Sequence, residues 1–129
     1  LAESIAKGIK EKDGKVTVKL YNIARSDIND VVTEIFKSKT VLLGSPTINK
    51  GILCAMASLT DMITGLKFKN KKAAAFGCYG WSGESVKVMN DHLTRAGFEL
   101  VHDGLKAMWQ PGIDELAQAF EFGKEIAVK

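Results

Sequence analysis

An α/β fold, with a doubly wound parallel sheet covered by helices on both faces, is what this sequence predicts, on three observations. Apolar residues switch regularly between helix and strand spacing, the strand-like runs in mid-chain are continuously apolar, and no tight turn joins one strand to the next. Strands that alternate with helices and lack hairpins need crossover connections, and the sheet they build is parallel and buried on both sides. At 129 residues the chain fits a single domain, 1–129, with one core.

Leu1 to Lys10 reads as a helix with Leu1, Ile5 and Ile9 on one face, stopped at Asp13-Gly14. Val16, Val18 and Leu20 alternate with polar residues, which predicts a half-buried outer strand. Ser26 is placed as the N-cap of a helix carrying Ile28, Val31, Val32, Ile35 and Phe36. Thr40 to Ser45 is a continuous apolar run expected to be buried on both faces, ending in Gly44-Ser45-Pro46. Ile52, Ala55, Met56, Leu59, Met62 and Ile63 make a helical stripe closed by Gly65, and Ala73 to Phe76 a second buried strand closed by Gly77. Val86, Met89, Leu93 and Ala96 predict a helix ended by Gly97. Phe98 to Val101 starts a last strand, broken at Asp103-Gly104 before Leu105 to Trp109. After Pro111-Gly112 the final helix is expected to turn Leu116, Ala117, Phe120 and Ala127 inward.

Composition narrows the function. With 46% hydrophobic and 26% charged residues this is an ordinary globular chain, and no apolar run approaches the roughly 20 residues of a membrane span. The net charge of +3 is scattered except at Lys67, Lys69, Lys71 and Lys72, a run read as a solvated loop, or more sharply as a docking patch for an acidic partner. Aromatic residues do not interleave with those lysines beyond Phe68, so no nucleic-acid partner is expected. Cys54 and Cys78 fit neither a metal-ligand pair nor a disulfide scaffold, which points to a reducing, cytoplasmic setting. The first residues resemble a helix in mid-course rather than a signal peptide, and the natural chain is expected to begin upstream.

In an open parallel sheet, ligands sit beyond the carboxyl ends of the strands. Two segments there stand out, Gly44-Ser45-Pro46-Thr47-Ile48-Asn49-Lys50-Gly51 and Gly77-Cys78-Tyr79-Gly80-Trp81-Ser82-Gly83-Glu84. Glycines and small polar side chains let backbone donors approach a ligand. Tyr79 and Trp81 between glycines suit a planar heterocycle, against the plainer reading that they cap the sheet edge. The glycine spacing is neither a dinucleotide fingerprint nor a P-loop.

These two segments, together with Asn70-Lys71-Lys72-Ala73-Ala74-Ala75-Phe76-Gly77 and the Lys106, Trp109, Pro111 pattern, resemble the flavodoxin-like domain of flavodiiron proteins over essentially the whole chain. The resemblance implies FMN as cofactor, contacted by Pro46, Thr47, Ile48 and Asn49 of the first loop and by Gly77, Cys78, Tyr79, Gly80, Trp81 and Gly83 of the second. Lys50 and Cys78 depart from the family's pattern, where a second Asn and a Ser are usual. The resemblance also implies that the first, central strand and the phosphate loop precede Leu1, and that a di-iron domain lies upstream. Without that strand two apolar sheet edges would stand unpaired. Electrons would pass from a rubredoxin-like donor to a di-iron site, of the same or a partner chain in a homodimer, that reduces oxygen or nitric oxide. His92 and His102 read as surface residues, so the chain would relay electrons without a complete catalytic site of its own. A stand-alone flavodoxin or a flavin-dependent quinone reductase is the alternative. A phosphoryl-accepting receiver domain is disfavoured, because Gly44-Ser45-Pro46 offers no acceptor carboxylate.

Overall fold

A computed structural model describes residues 1–129, and every strand pairing in its sheet is parallel. The helices are α1 (Ala2–Lys12), α2 (Ile28–Lys37), α3 (Cys54–Leu66), α4 (Glu84–Arg95) and α5 (Ile113–Ala127). The strands are β1 (Thr40–Gly44), β2 (Lys72–Tyr79), β3 (Glu99–Leu100) and β4 (Leu105–Met108). β2 is central: β1 pairs along one side of it, while on the other β3 pairs with its start and β4 with its end. The split between β3 and β4 falls at Gly104, whose φ of +115° suits glycine, and the expected break at Asp103-Gly104 is thereby explained.

Successive side chains of β2 face opposite layers. Ala73 and Ala75 join Val41, Leu43 and residues of α2, α3 and α4 in one core cluster. Ala74 joins Ile5 and Ile9 of α1 and Ala119, Phe122 and Ile126 of α5 in the other. α1 and α5 approach until their backbones touch: a Cβ on Gly8 would overlap the Phe120 carbonyl, and one on Gly123 the Ile5 carbonyl.

Several expectations are corrected. β2 does not stop at Gly77 but continues to Tyr79, carried by its pairing with β4. Asp27, not Ser26, caps α2 by accepting from the Asn29 N–H, and the Ser26 hydroxyl donates instead to the Asn22 carbonyl. α3 closes with Lys67 in the left-handed conformation (φ 50°) rather than at Gly65. Met62 and Phe36 lie at the exposed margins of their helices. In α5 the inward face is Ala119, Phe122, Gly123 and Ile126, while Leu116 and Ala117 are exposed, because the contact with α1 selects the face that carries Gly123.

The largest correction concerns the outer strand. Val16 to Leu20 is not in a strand, and Thr17 to Tyr21 make no backbone–backbone hydrogen bond. Between this segment and β1 lies a slot of about 860 Å³, lined by 32 residues of which 22 are hydrophobic. Leu42 is accordingly only half-buried, so β1 is not covered on both faces as expected. A lone extended segment has nothing to pair with across that gap. Val18 packs against the α1–α5 cluster, and Lys19 is tied to Glu34 of α2 at 3.0 Å.

Two outcomes are expected. Gly8→Ala forces α1 off α5 and should cost roughly 1–3 kcal/mol in chemical denaturation, the usual cost of overpacking, whereas Gly65→Ala, which meets nothing within 4 Å, should stabilise by up to about 1 kcal/mol through helix propensity. The Lys19 ammonium holds the Glu34 carboxyl below its ordinary value and is itself raised. The tether is thus complete above the ordinary carboxylate pKa of 4.5 and is lost as pH falls through Glu34's lowered value. Carboxyl NMR titration should show Glu34 protonating at lower pH than in Lys19→Ala.

Candidate functional site

Three loops meet where the strands end. The first follows β1, the second joins β2 to α4, and the third follows β4. The Thr47 N–H donates to the Cys78 carbonyl at 2.9 Å, and the Thr47 hydroxyl accepts from the Ser85 N–H at 3.1 Å, so the first two are joined directly. The Trp109 N–H donates to the Tyr79 carbonyl at 2.7 Å and brings in the third. Ser45, 4% exposed, fixes the base: its hydroxyl donates to the Pro46 carbonyl and accepts from the Leu53 N–H.

Within the first loop Ile48 and Gly51 bond reciprocally through their backbones, and Asn49 and Lys50 both take positive φ (49° and 59°). This tight turn leaves the Ile48 side chain 46% exposed. In the second loop Trp81 is 97% exposed, more than any other large apolar residue of the chain. The N–H groups of Gly80, Trp81, Ser82 and Gly83 make no intramolecular hydrogen bond to backbone, and no side chain accepts from them. A row of unpaired amides beside a bare indole offers donors and a flat apolar surface together.

The predicted residues divide. Pro46, Thr47, Ile48, Asn49, Cys78, Tyr79, Gly80, Trp81 and Gly83 all belong to the joined loops or to the strand end that feeds them. Gly77 lies inside β2, where a Cβ would overlap the Ser45 carbonyl and crowd the Ser85 hydroxyl, so its smallness lets the two loops close. Cys78 contributes its carbonyl to Thr47, and its half-buried thiol is free. Trp109, expected to end the strand run Leu105 to Trp109, lies beyond β4, is 67% exposed with φ +56°, and its ring lies over Gly80, where a Cβ would come within 2.6 Å. It belongs to the rim of the site. The signal was present in the sequence as a second tryptophan before Pro111-Gly112, a place for a loop rather than a core.

Charge is concentrated behind the second loop. Glu84, first residue of α4, has its pKa lowered by the neighbouring Ser82 hydroxyl first, and then by its own backbone amide and the nearby Lys50 and Lys106 cations. The Lys106 stem runs beside Gly83 and the Tyr79 ring, both within 3.3 Å of where a Gly83 Cβ would stand. The lysine run lies at the other pole. Lys71 donates to the Phe36 and Ser38 carbonyls and Lys72 to the Lys129 carbonyl, while Lys72 opens β2 and Tyr79 closes it. At about 3.3 Å per residue that separation is roughly 23 Å. His92 sits in the last turn of α4, its pKa lowered by burial and Arg95, and His102 packs on Phe122 beside Glu125, both away from the loops. No three His, Cys, Asp or Glu side chains come together to hold a metal ion, and no helix is long and apolar enough to cross a membrane.

Comparison with known proteins agrees with this geometry. The flavodoxin family's sequence model matches residues 1–123. The chain is 46% identical over 127 residues to the anaerobic nitric oxide reductase flavorubredoxin of Klebsiella pneumoniae subsp. pneumoniae, covering 98% of this chain and 26% of that protein. The Shigella dysenteriae serotype 1 flavorubredoxin is 47% identical with the same coverage. Among solved structures, rubredoxin oxygen:oxidoreductase from Desulfovibrio gigas superposes with a TM-score of 0.87 at 35% identity, over 98% of this chain and 32% of that one. The flavodiiron protein from Giardia intestinalis gives 0.89 at 26% identity, over 98% and 31%. A flavodoxin from the domain Archaea gives 0.84 at 26% identity, and there the chain covers 98% of itself and 85% of the other. The chain thus spans about a quarter of the length of the curated relatives it matches. The exposed indole and the row of free amides fit a planar ring edged with nitrogen and carbonyl acceptors. By sequence and by fold alike, this chain belongs to the flavodoxin family, whose cofactor is FMN.

Proposed function

We propose that this domain is an electron relay of the flavodiiron type, with the FMN ring seated on the joined loops at the carboxyl ends of β1, β2 and β4. The observation that carries the reading is the 97% exposed Trp81 beside four consecutive unpaired amides. FMN, when bound, supplies the capacity to accept and release electrons one or two at a time. The chain's own residues set the terms. Trp81 and Ile48 offer apolar surface that excludes water, the amides of Gly80 to Gly83 offer donors to ring acceptors, and Lys50 and Lys106 bring positive charge to the same end.

In the natural protein the donor is a rubredoxin-like carrier, and the acceptor is a di-iron domain upstream, on the same chain or on its homodimeric partner, where oxygen or nitric oxide is reduced. The 46% identity to a flavorubredoxin and the small share of that protein covered support this arrangement over a stand-alone flavodoxin. The cytoplasm is the matching compartment for two free cysteines. A docked carrier should approach the pole that holds Lys50 and Lys106, since the Lys67 to Lys72 run lies at the far end of β2.

Two experiments test this. Trp81→Ala should weaken FMN binding by a factor of about five to ten, the loss of a stack contributing on the order of 1 kcal/mol, and should shift the reduction potential upward by admitting water. Spectroelectrochemical titration with flavin fluorescence measures both. Parental affinity, potential and quenching would make Trp81 a bystander. In stopped-flow reduction by an acidic rubredoxin, Lys50→Glu should slow the reaction several-fold at low salt and flatten its salt dependence, while Lys69→Glu leaves it unchanged.

A further inference from the structure

We propose that the Asp103–Gly104 peptide is a proton-operated switch at the root of β4. While His102 is neutral the peptide N–H bonds to its ring; protonation of the ring turns the peptide over, and the N–H passes to Asn90.

The peptide lies in a bulge. β3 ends with Leu100 opposite Ala73 and β4 begins with Leu105 opposite Phe76, so Val101 to Gly104 cover the stretch that Ala74 and Ala75 alone cover on β2. Extra residues in an edge strand lose their ladder partners, and here side chains take the place of those partners. The Gly104 N–H donates to His102 Nδ1 at 2.9 Å, and the Asp103 carbonyl of the same peptide accepts from Asn90 Nδ2 of α4, also at 2.9 Å. In a trans peptide the two groups point opposite ways. His102 therefore stands on one side of the peptide and Asn90 on the other.

The ring sets the condition for turning. Nδ1 accepts only while it carries no proton, so the neutral ring keeps its proton on Nε2, which faces Glu125 Oε2 of α5 at 3.4 Å. A second proton makes Nδ1 a donor as well, and two N–H groups cannot share one bond. Either the ring or the peptide must then move. The ring is held edge-on against Phe122, centroids 4.7 Å apart, and its attraction to Glu125 grows when it is charged. The other ionisable groups around it are Glu121 of α5, tied to Lys124 at 3.3 Å, and Asp103 on its own loop, while β4 presents Leu105 and α4 the uncharged Asn90. The α5 carboxylates thus keep the imidazolium where it is. A groove of about 430 Å³ on that side gives solvent protons access to the ring.

The peptide is free to turn and has a partner waiting. Gly104 has a φ of +115°, and a half-turn of the peptide carries φ to the negative side, which glycine occupies as readily. The Asp103 carbonyl then accepts from the new Nδ1–H. On the other side the Gly104 N–H meets the Asn90 amide, whose Oδ1 is buried and without a hydrogen-bond partner. A buried amide oxygen lacking a donor is costly, and the turned peptide supplies one. Asn90 exchanges a bond at Nδ2 for one at Oδ1, and His102 keeps a partner at each nitrogen in both states. The number of residues in the bulge is unchanged, so β4 keeps its register on β2.

NMR of the natural full-length protein, labelled with nitrogen-15 in histidine and glycine, tests the switch without any substitution. At pH above the His102 titration the ring proton should sit on Nε2, and a scalar coupling should join the Gly104 amide nitrogen to Nδ1 across the hydrogen bond. Below it the coupling should be lost with the same midpoint as the ring's own titration, while exchange of the Gly104 amide, corrected for pH, stays within about threefold because Asn90 now holds it. A Gly104 amide that ignores the titration, or a neutral ring with its proton on Nδ1, would overturn the proposal. Exchange faster by roughly tenfold or more would show simple release of the loop and overturn the turn itself. Asn90→Asp, which only accepts, should hold the peptide turned and move the neutral ring's proton from Nε2 to Nδ1. The parental tautomer in that variant would overturn Asn90 as the second partner.

Discussion

Three consecutive alanines, Ala73, Ala74 and Ala75, each 0% exposed, are the constraint on which the rest depends. They occupy the one strand that pairs with all the others, and their short side chains let helices close down on it from both layers. A Leu or Ile there would push α4 or the α1–α5 pair outward and misplace every loop at the strand ends, since packed interiors tolerate added volume poorly. Gly77 extends the same logic one turn of the pleat further, where even a methyl group would separate Ser45 from β2.

The site is a by-product of that register. β4 ends level with β2, since Met108 is paired with Tyr79, and although β1 ends at Gly44 opposite Phe76, the chain after it stays alongside β2 through the Thr47 N–H bond to the Cys78 carbonyl. Their connections therefore emerge side by side and tie to one another through backbone groups rather than through long side chains. Such ties hold the loop geometry while leaving the bulky residues outward, which is why Ile48, Trp81 and Trp109 can all be exposed on an otherwise well-ordered frame. An arrangement of this kind positions a planar group by its edges and cushions it by its faces.

Most of the architecture was legible in the sequence because period and punctuation agreed with each other. Gly97 ends α4 with φ +97°, packed on the Phe68 carbonyl, as the chain pattern required, and the broken last strand followed from Asp103-Gly104. What failed had long-range causes. Val16, Val18 and Leu20 have a strand's alternation, but pairing is a property of two segments, and this one makes no backbone bond to β1 across the slot. The inward face of α5 was misjudged because hydrophobicity favoured Leu116 and Phe120, whereas backbone proximity at Gly123 decided the rotation. The two strand-end loops are legible as candidates in the sequence, since glycine and aromatic residues after a buried strand have a local reason. For Trp109 the adjacent Pro111-Gly112 marks a loop, but nothing in its neighbours shows that its ring folds over Gly80.

The backbone contact between α1 and α5 also bears on how the chain acquires its structure. Ile5 and Gly123 stand at opposite ends of the sequence, so the α1 face that carries Ile5 and Ile9, which also packs with Ala74, lacks its helical cover until α5 has been synthesised. Pairings so distant are late events, and apolar faces that wait for them are open to wrong partners meanwhile. A nascent chain of this domain is therefore most exposed to aggregation just before its last helix emerges, and α5 serves as the latch that ends that interval.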